Sequence, residues 1–477
     1  MKKLVLVLLS LVCMATVAGA SVHNVRDYGA KGDGVTIDSP AIDAAIKAAS
    51  EEGGGMVYFP AGKYASYSIH LASHIHLYLE EGSVIYAAEG EGFDPAEPGP
   101  QPQYQDFGHS HWQNSLIWGI GLEDITISGP GLIDGTNLSP GYGDHAVKDG
   151  VGNKSISLKN CRRVVLKDFK MIRSGHFALL ATGVDDMVID GLTIDTNRDG
   201  LDVDCCRNVR ISNCNVNSPF DDGIVLKASY ALDRYVDTRD VVITNCHMSG
   251  YDVGSVMDAT YTIPTLVSPH TGTARLTRSA GRLKLGTETS GGFKNIVVSN
   301  CSFDLCGGIV VESMDGGIVE GLVFSNLVMR DCLDSPIFFR IGQRMRSPEG
   351  IPVGTIRNVL ISDLDAASTA PYFGVIFAGL PGHNIKDVTM RNIRLDAVGG
   401  IRKENAIKTV PEREKAYPDP DMFSGDKAMP LKGMMIRHAE DIVMDGVTFS
   451  FQNEDTRPLF YMDDAKRIVR KNVRVLR

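Results

Sequence analysis

From residue 163 to residue 445 the chain repeats one short pattern, in which apolar and polar residues alternate over a few positions and end on Asn or Asp. Copies occupy Arg163–Asp168, Asp186–Asp190, Asn208–Asn213, Val241–Asn245, Asn295–Asn300, Val319–Asn326, Asn358–Asp363, Asp387–Asn392 and Asp441–Asp445. The first three begin 22 to 23 residues apart, and later intervals widen where loops intervene. Alternation with a period of two marks strands with one buried face. A unit this short cannot bury that face alone, so successive copies must stack. Asn or Asp at the end of each copy tolerates a left-handed turn and can form a side-chain ladder along the stack. The pattern predicts an all-β, right-handed parallel β-helix. A β-propeller needs a period of about 40 residues or more, and the spacing disfavours it.

The start of the chain has a different period. Ile42, Ala45, Ile46 and Ala49 fall on one face of a helix, with Asp38 or Ser39 as its cap and Pro40 in its first turn. Such a helix would close the open end of the stack. Gly53-Gly54-Gly55 ends it and leads into a strand at Met56–Phe59. Long interruptions at 86–115, 136–152, 230–240, 250–280 and 403–432 read as loops that build the walls of a cleft.

Residues 1–20 read as an export signal: Lys2 and Lys3, an apolar run from Leu4 to Val12, and a small-residue cleavage site at Ala18-Gly19-Ala20. One domain over 21–477 follows, exported to the periplasm or beyond. No later segment has the length for a membrane span. Loss of the two lysines takes the net charge from −10 to −12. An acidic chain without a basic run excludes nucleic acid as an expected partner. Eight cysteines remain after cleavage, with no CxxC pair or Cys/His cluster that resembles a zinc site. Cys161, Cys214, Cys246 and Cys301 each follow an Asn, and read as stacked, buried thiols. A closed solenoid needs no second chain to fold, so a monomer is expected.

Candidate chemistry centres on Asp199, Asp221 and Asp222. Their segments, Asn197-Arg198-Asp199-Gly200 and Pro219-Phe220-Asp221-Asp222-Gly223, are one coil apart and should lie on neighbouring rungs. Three converging carboxylates fit glycoside hydrolysis, which needs a protonated acid and an ionised base, and crowding pushes their pKa values apart. Aspartates in such turns also serve as structural ladder residues. Adjacent strand residues point to opposite faces, so Asp221 and Asp222 reach one site only if Pro219 and Gly223 frame a turn or bulge. Asp202 reads as a supporting group and Asp204 as structural. Lys227, five residues after Asp222, either contacts substrate or neutralises the acidic patch. His176, one rung earlier, reads either as bordering the cleft or as a satisfied hydrogen-bonding residue, and Tyr251 and Glu288 are further candidates. Arg340, Arg344 and Arg346 read either as a cleft wall or as solvated loop charge.

Asp27–Gly34 and Gly53–Gly62 resemble the N-terminus of pectinase-type β-helix proteins, a signature shared by lyases, glycanases, epimerases and phage tailspikes. Gly129–Gly135, Asn197-Arg198-Asp199, Asp221-Asp222 and Gly286–Gly292 resemble the polygalacturonase family, glycoside hydrolase family 28. Tyr417–Phe423 and Ile436–Ala439 are similar to bacterial exported members. The resemblance implies inverting hydrolysis of α-linked galacturonan or rhamnogalacturonan without a metal or other cofactor, exo-acting if the loops close a pocket. It implies Asp221 as general acid, with Asp199 and Asp222 activating water. Inversion calls for carboxyl groups about 6.5–9.5 Å apart. Two elements depart from the family. Its Gly-His-Gly is absent, with Gly250-Tyr251-Asp252 near the expected place. Its Arg-x-Lys is missing from 307–313, and Arg282 and Lys284, one rung earlier on one strand face, read either as its replacement in binding a substrate carboxylate or as surface charge. A Ca²⁺-dependent polysaccharide lyase and a non-catalytic glycan-binding β-helix are the alternatives.

Overall fold

The computed structural model describes residues 21–98, 104, 109–141, 148–264 and 280–476. The export signal expected at 1–20 lies outside them. The predicted stack is present. Strands pair in parallel with the next coil, as in Phe177–Thr182 on Asp199–Asp204, then Ile224–Ala228, Leu283–Thr289 and Ile309–Ser313. Inward positions form continuous apolar columns, such as Leu179, Leu201, Ile224, Leu283 and Ile309, all fully buried. Each such side chain contributes about 1.5–3 kcal/mol on burial, which is why the alternation was so regular.

The turn residues take the conformation that their chemistry favours. Asn213, Asn245 and Asn300 have φ of 56°, 55° and 55°, in the left-handed region. The expected ladder runs along them, with Asn213 Nδ2 donating to Asp190 Oδ1 at 2.7 Å and Asn326 Nδ2 to Asn300 Oδ1 at 2.7 Å. Beside it each thiol donates to the carbonyl two residues earlier: Cys161 to Lys159, Cys214 to Ser212, Cys246 to Thr244 and Cys301 to Ser299, at 3.2–3.4 Å. The eight described cysteines are buried and unpaired.

A helix at Ser39–Glu51 buries Ile42, Ala45, Ile46 and Ala49 against the first coils, on the face read from the sequence. Asp38 occupies its cap position, but its carboxylate serves the preceding turn instead, accepting from the backbone N–H of Lys31 at 2.7 Å and Gly32 at 2.9 Å. Among the described residues no helix is long and apolar enough to cross a membrane.

One outer face of the solenoid positions the site. Its outward stripe runs Ser157, Leu180, Asp202, Val225, Lys284, Val310, Phe338, Ile376, Met435. Both ends are covered by apolar plugs. Trp112, Phe177, Leu180 and Ala231 pack at the N-terminal end. At the other end Val310, Phe338, Ile376 and Met435 are covered by Val410, Phe423, Met429 and Leu431 of the 403–432 loop. Between the plugs the stripe carries Asp202 and Lys284 on either side of Val225.

Candidate active site

The polar middle is built from consecutive rungs. Asp199 opens the strand Asp199–Asp204, and the backbone N–H of Gly200 donates to the Asp222 carbonyl at 3.0 Å, so the two segments are neighbours as their spacing predicted. A Cβ on Gly200 would lie 2.4 Å from the Gly223 carbonyl oxygen, and glycine there lets the rungs close. Residues 218–223 form a bend that precedes the strand Ile224–Ala228. The bend turns the adjacent Asp221 and Asp222 to the same side, which a strand would not. Asp199, Asp221 and Asp222 each present an oxygen within 4.8 Å of the others.

The three carboxyls differ in environment. Asp199 is buried, and its Oδ1 has no hydrogen-bond partner. Burial, then the nearby Asp221 charge, push its pKa well above the usual carboxylate range, against the pull of Lys227. Asp221 is the most open of the trio, its side chain 24% exposed against 5% for Asp199 and 4% for Asp222. Burial works to raise its pKa, but the Arg198 guanidinium outweighs that, with His176 and Lys284 adding to it, and holds Asp221 well below the usual range. Arg198 donates to Asp221 Oδ2 through Nε at 3.0 Å and Nη2 at 2.5 Å. Asp222 accepts from Arg282 Nε at 2.6 Å and lies 3.3 Å from Lys284 Nζ.

Each of the other sequence candidates has a definite place. Lys227 is buried beside Asp202 Oδ2 at 2.6 Å, Asp199 Oδ2 at 3.3 Å and Glu288 Oε2 at 3.8 Å. Burial opposes its charge, but these carboxylates outweigh burial and keep the ammonium protonated. His176 is buried, stacked on Phe177 at 4.2 Å, with Nδ1 3.3 Å from Arg198 Nη1. Arg282 and Lys284 reach the trio from the next rung, and Tyr417 and Asp419 of the 403–432 loop meet them at 3.3 Å and 2.9 Å. Asp204 is structural, accepting from Ser229 Oγ at 2.6 Å and Ser229 N at 2.8 Å. Tyr251 turns away to Asp304. Arg344 joins through Glu288 at 3.1 Å and Asp315 at 2.5 Å.

Arg340 is the correction. Read as a substrate-facing cation, it is fully buried beneath the C-terminal plug, where its guanidinium donates to the carbonyls of Gly379 at 3.0 Å and Glu412 at 2.8 Å. Its chemistry is loop anchoring, tying the carbonyl of Glu412 in the 403–432 loop to the strand that carries Arg340.

Arg198, His109 and Glu312 carry no motif signal, although all three belong to this cluster. Arg198 stood within the Asp199 segment, where a cation one residue from a carboxylate candidate was the available signal. His109 enters from the loop that precedes the strand Ile117–Ile120, contacts Lys227 Nζ, and lies 3.7 Å from Asp202 Oδ2. No periodicity marks such a loop residue. His109, His176 and Asp199 also bring three buried ligand atoms within 4.8 Å, a spacing a metal ion could use. Burial first, then Lys227 and Arg198, hold both imidazoles well below their usual pKa. Those same two cations already sit on these donors, which opposes a divalent ion there.

A parallel β-helix carrying a buried cluster of carboxylates and cations on its outer face defines a carbohydrate-active class of protein. Comparison with known proteins narrows it. Residues 104–314 match Glycosyl hydrolases family 28, and residues 22–80 match Rhamnogalacturonase A/epimerase, pectate lyase-like. Residues 104–314 are thus similar to a family 28 glycoside hydrolase domain. It is 27% identical over 286 residues to the "Probable polygalacturonase" of Vitis vinifera, covering 57% of this chain and 52% of that one, so the match spans about half of that relative's length. The family 28 exopolygalacturonase of Yersinia enterocolitica shares the fold, with a TM-score of 0.69 at 17% identity over 94% of this chain and 78% of that one. PfbA, a surface adhesin of Streptococcus pneumoniae, shares it too, with a TM-score of 0.59 at 15% identity over 94% and 91%.

Proposed function

We propose that the protein hydrolyses α-glycosidic bonds of a pectic chain, galacturonan or rhamnogalacturonan, from a chain end by single displacement. The observation that carries this reading is the trio itself: one carboxyl disposed to hold a proton and one held ionised, with oxygens within 4.8 Å, beside a cation pair suited to a uronate carboxylate. Asp199 and Asp221 share one proton, as close carboxyl pairs do. Arg198 biases that proton onto Asp199. When a substrate draws Arg198 away, the proton moves to Asp221, the member open to the cleft, which donates it to the leaving oxygen. Asp199, then ionised, and Asp222 activate a water that sits against the sugar. Arg282 and Lys284 bind the substrate carboxylate, and Lys227 holds Asp199 and Asp202. The two apolar plugs bracket a short polar stretch, and this blocked trough supports exo action. The protein works as an exported monomer.

The test is a product time course on homogalacturonan and rhamnogalacturonan oligosaccharides, following reducing ends, unsaturated product and the first-formed anomer, with and without a chelator. Chelator-insensitive reducing ends, with the anomeric configuration inverted, support the proposal. Unsaturated product makes the protein a lyase, and no product on any pectic chain supports glycan binding alone. Asp221→Asn should lower the rate by about 10²–10⁴ on oligosaccharides. It should recover most of that loss on a nitrophenyl glycoside, whose leaving group needs no acid, whereas Asp222→Asn should not.

A further inference from the structure

Glu312 is a carboxyl of the cluster that the proposed chemistry does not use and that pairs with a cation only at the longest distance, Lys284 Nζ at 4.0 Å. It lies on Ile309–Ser313, the rung after Lys284, and is fully buried. Neither of its carboxyl oxygens makes a hydrogen bond. Lys284 Nζ lies 4.0 Å from Oε2, and Gly286 packs so closely that a Cβ there would fall 2.9 Å from the same oxygen. From every side the groups facing it are charged or titratable: Lys284 and Arg282 on the preceding rung, Asp222 beyond them, and Asp419 and Tyr417 from the loop above. Arg340, its backbone neighbour on the next rung, turns its guanidinium to loop carbonyls.

We propose that Glu312 makes uronate binding proton-coupled: Arg282 and Lys284 accept a substrate carboxylate only while Glu312 is neutral, so that Glu312 sets the pH range of binding and its preference for acidic over neutral sugars. This rests on the uronate reading above. The argument is a charge count. Arg282 and Lys284 carry two positive charges and already face two carboxylates, Asp222 at 2.6 and 3.3 Å and Asp419 at 2.9 Å. A substrate carboxylate is a third anion for these two cations, and an ionised Glu312 would be a fourth, in a place without water to screen it. Burial raises the Glu312 carboxyl to about 7 against the pull of Lys284 and Arg282, so the proton is present in mild acid and lost in mild base. Binding of an anion must raise it further, and by linkage the complex takes up a proton. A neutral sugar makes no such demand.

Calorimetry with galacturonic acid in two buffers of different ionisation enthalpy tests this on the unmodified protein. Up to one proton should be taken up per ligand near pH 8, and affinity should fall about tenfold between pH 6 and pH 8. Galactose should bind without uptake and more weakly in acid. Glu312→Gln should abolish the uptake and flatten the pH dependence for galacturonic acid. No uptake by the unmodified protein, or the same pH dependence in Glu312→Gln, overturns the proposal and leaves the uronate reading standing. Galactose binding as tightly as galacturonic acid, or neither binding at any pH, overturns the uronate reading and this proposal with it.

Discussion

Replacing Arg198 by Gln should move the alkaline limb of the kcat/KM profile upward by more than about one pH unit. That limb reports the proton that the free enzyme must hold for acid catalysis. In the structure the Arg198 guanidinium touches Asp221 Oδ2 with two nitrogens, at 2.5 and 3.0 Å, and its own side chain is only 9% exposed. Unit charges about 4 Å apart interact by about 4 kcal/mol at the effective dielectric of a partly buried pair. At 1.36 kcal/mol per pH unit, removing the cation raises the Asp221 carboxyl by about 3 units, and incomplete burial trims that figure. The proton shared with Asp199 then rests on the carboxyl that uses it, and persists to higher pH. Arg198 also donates to the Pro140 carbonyl and contacts His176, so kcat should drop as positioning loosens. Arg198→Lys keeps the charge and should leave the limb within a few tenths of a unit of the parent. The assay is initial rates on a galacturonate oligomer from pH 3 to 9, with melting curves to show that both variants fold. A limb that stays in place in Arg198→Gln, or that moves as far in Arg198→Lys, would refute the idea that Arg198 controls where the proton sits.

Two further predictions concern the scaffold. His70 lies between Asp43 at 2.6 Å and Asp94 at 2.8 Å, and the hydrogen bond to Asp43, then Asp94, raise its pKa to about 9 against partial burial. Its folded value lies above its unfolded one, so the stabilisation is complete below pH 6.5 and is lost as pH rises through 9. With the ring 45% exposed, solvent screening limits it to about 1 kcal/mol. Melting temperature should therefore fall between pH 7 and 10 in the parent more than in His70→Gln, and parallel curves would contradict this. Asp195 Oδ2 accepts from the backbone N–H groups of Gly254, Val256 and Met257 at 3.0–3.1 Å, and its Oδ1 from Asn217 at 2.9 Å. Asp195→Ala should loosen the segment 250–264 by about 3–5 kcal/mol and expose it to limited proteolysis while the solenoid stays folded. Unchanged cleavage there would show that this carboxylate does not hold the segment.

The solenoid could be read from the sequence because its determinants are local. Alternation along Asn208–Asn213 fixes which side chains face inward, and the terminal Asn fixes the turn, whatever lies elsewhere in the chain. The same holds for the capping helix, where Ile42, Ala45, Ile46 and Ala49 needed only the helical period. The trio was legible for a related reason: a coil of 22 to 23 residues converts sequence separation into adjacency, so Asp199 and the Asp221–Asp222 pair had to meet. What lay hidden depends on loops. Arg340 sits on the strand Ile337–Ile341 and Arg282 immediately before the strand Leu283–Thr289, yet one is sealed beneath Phe423 while the other meets Asp222. Only the path of the 403–432 loop distinguishes them, and no periodic pattern encodes that path. His109 was invisible for the same reason.

Protonation was the other hidden quantity, and it depends on pairings that motif spacing does not convey. The motif alone assigned the proton to Asp221, whereas the structure attaches Arg198 to Asp221 and leaves Asp199 Oδ1 without a partner, which reverses the resting preference. In a cluster where Arg198, Lys227, Arg282, Lys284 and Arg344 each face a carboxylate, deleting one member leaves a buried charge unpaired. Loss of activity in a single alanine variant therefore mixes misfolding, altered protonation and lost chemistry. Substitutions that keep shape and change charge, such as Arg198→Gln set beside Arg198→Lys, separate these contributions. The pH profile carries more information than the rate, because a displaced proton moves the limb while a displaced side chain lowers the plateau.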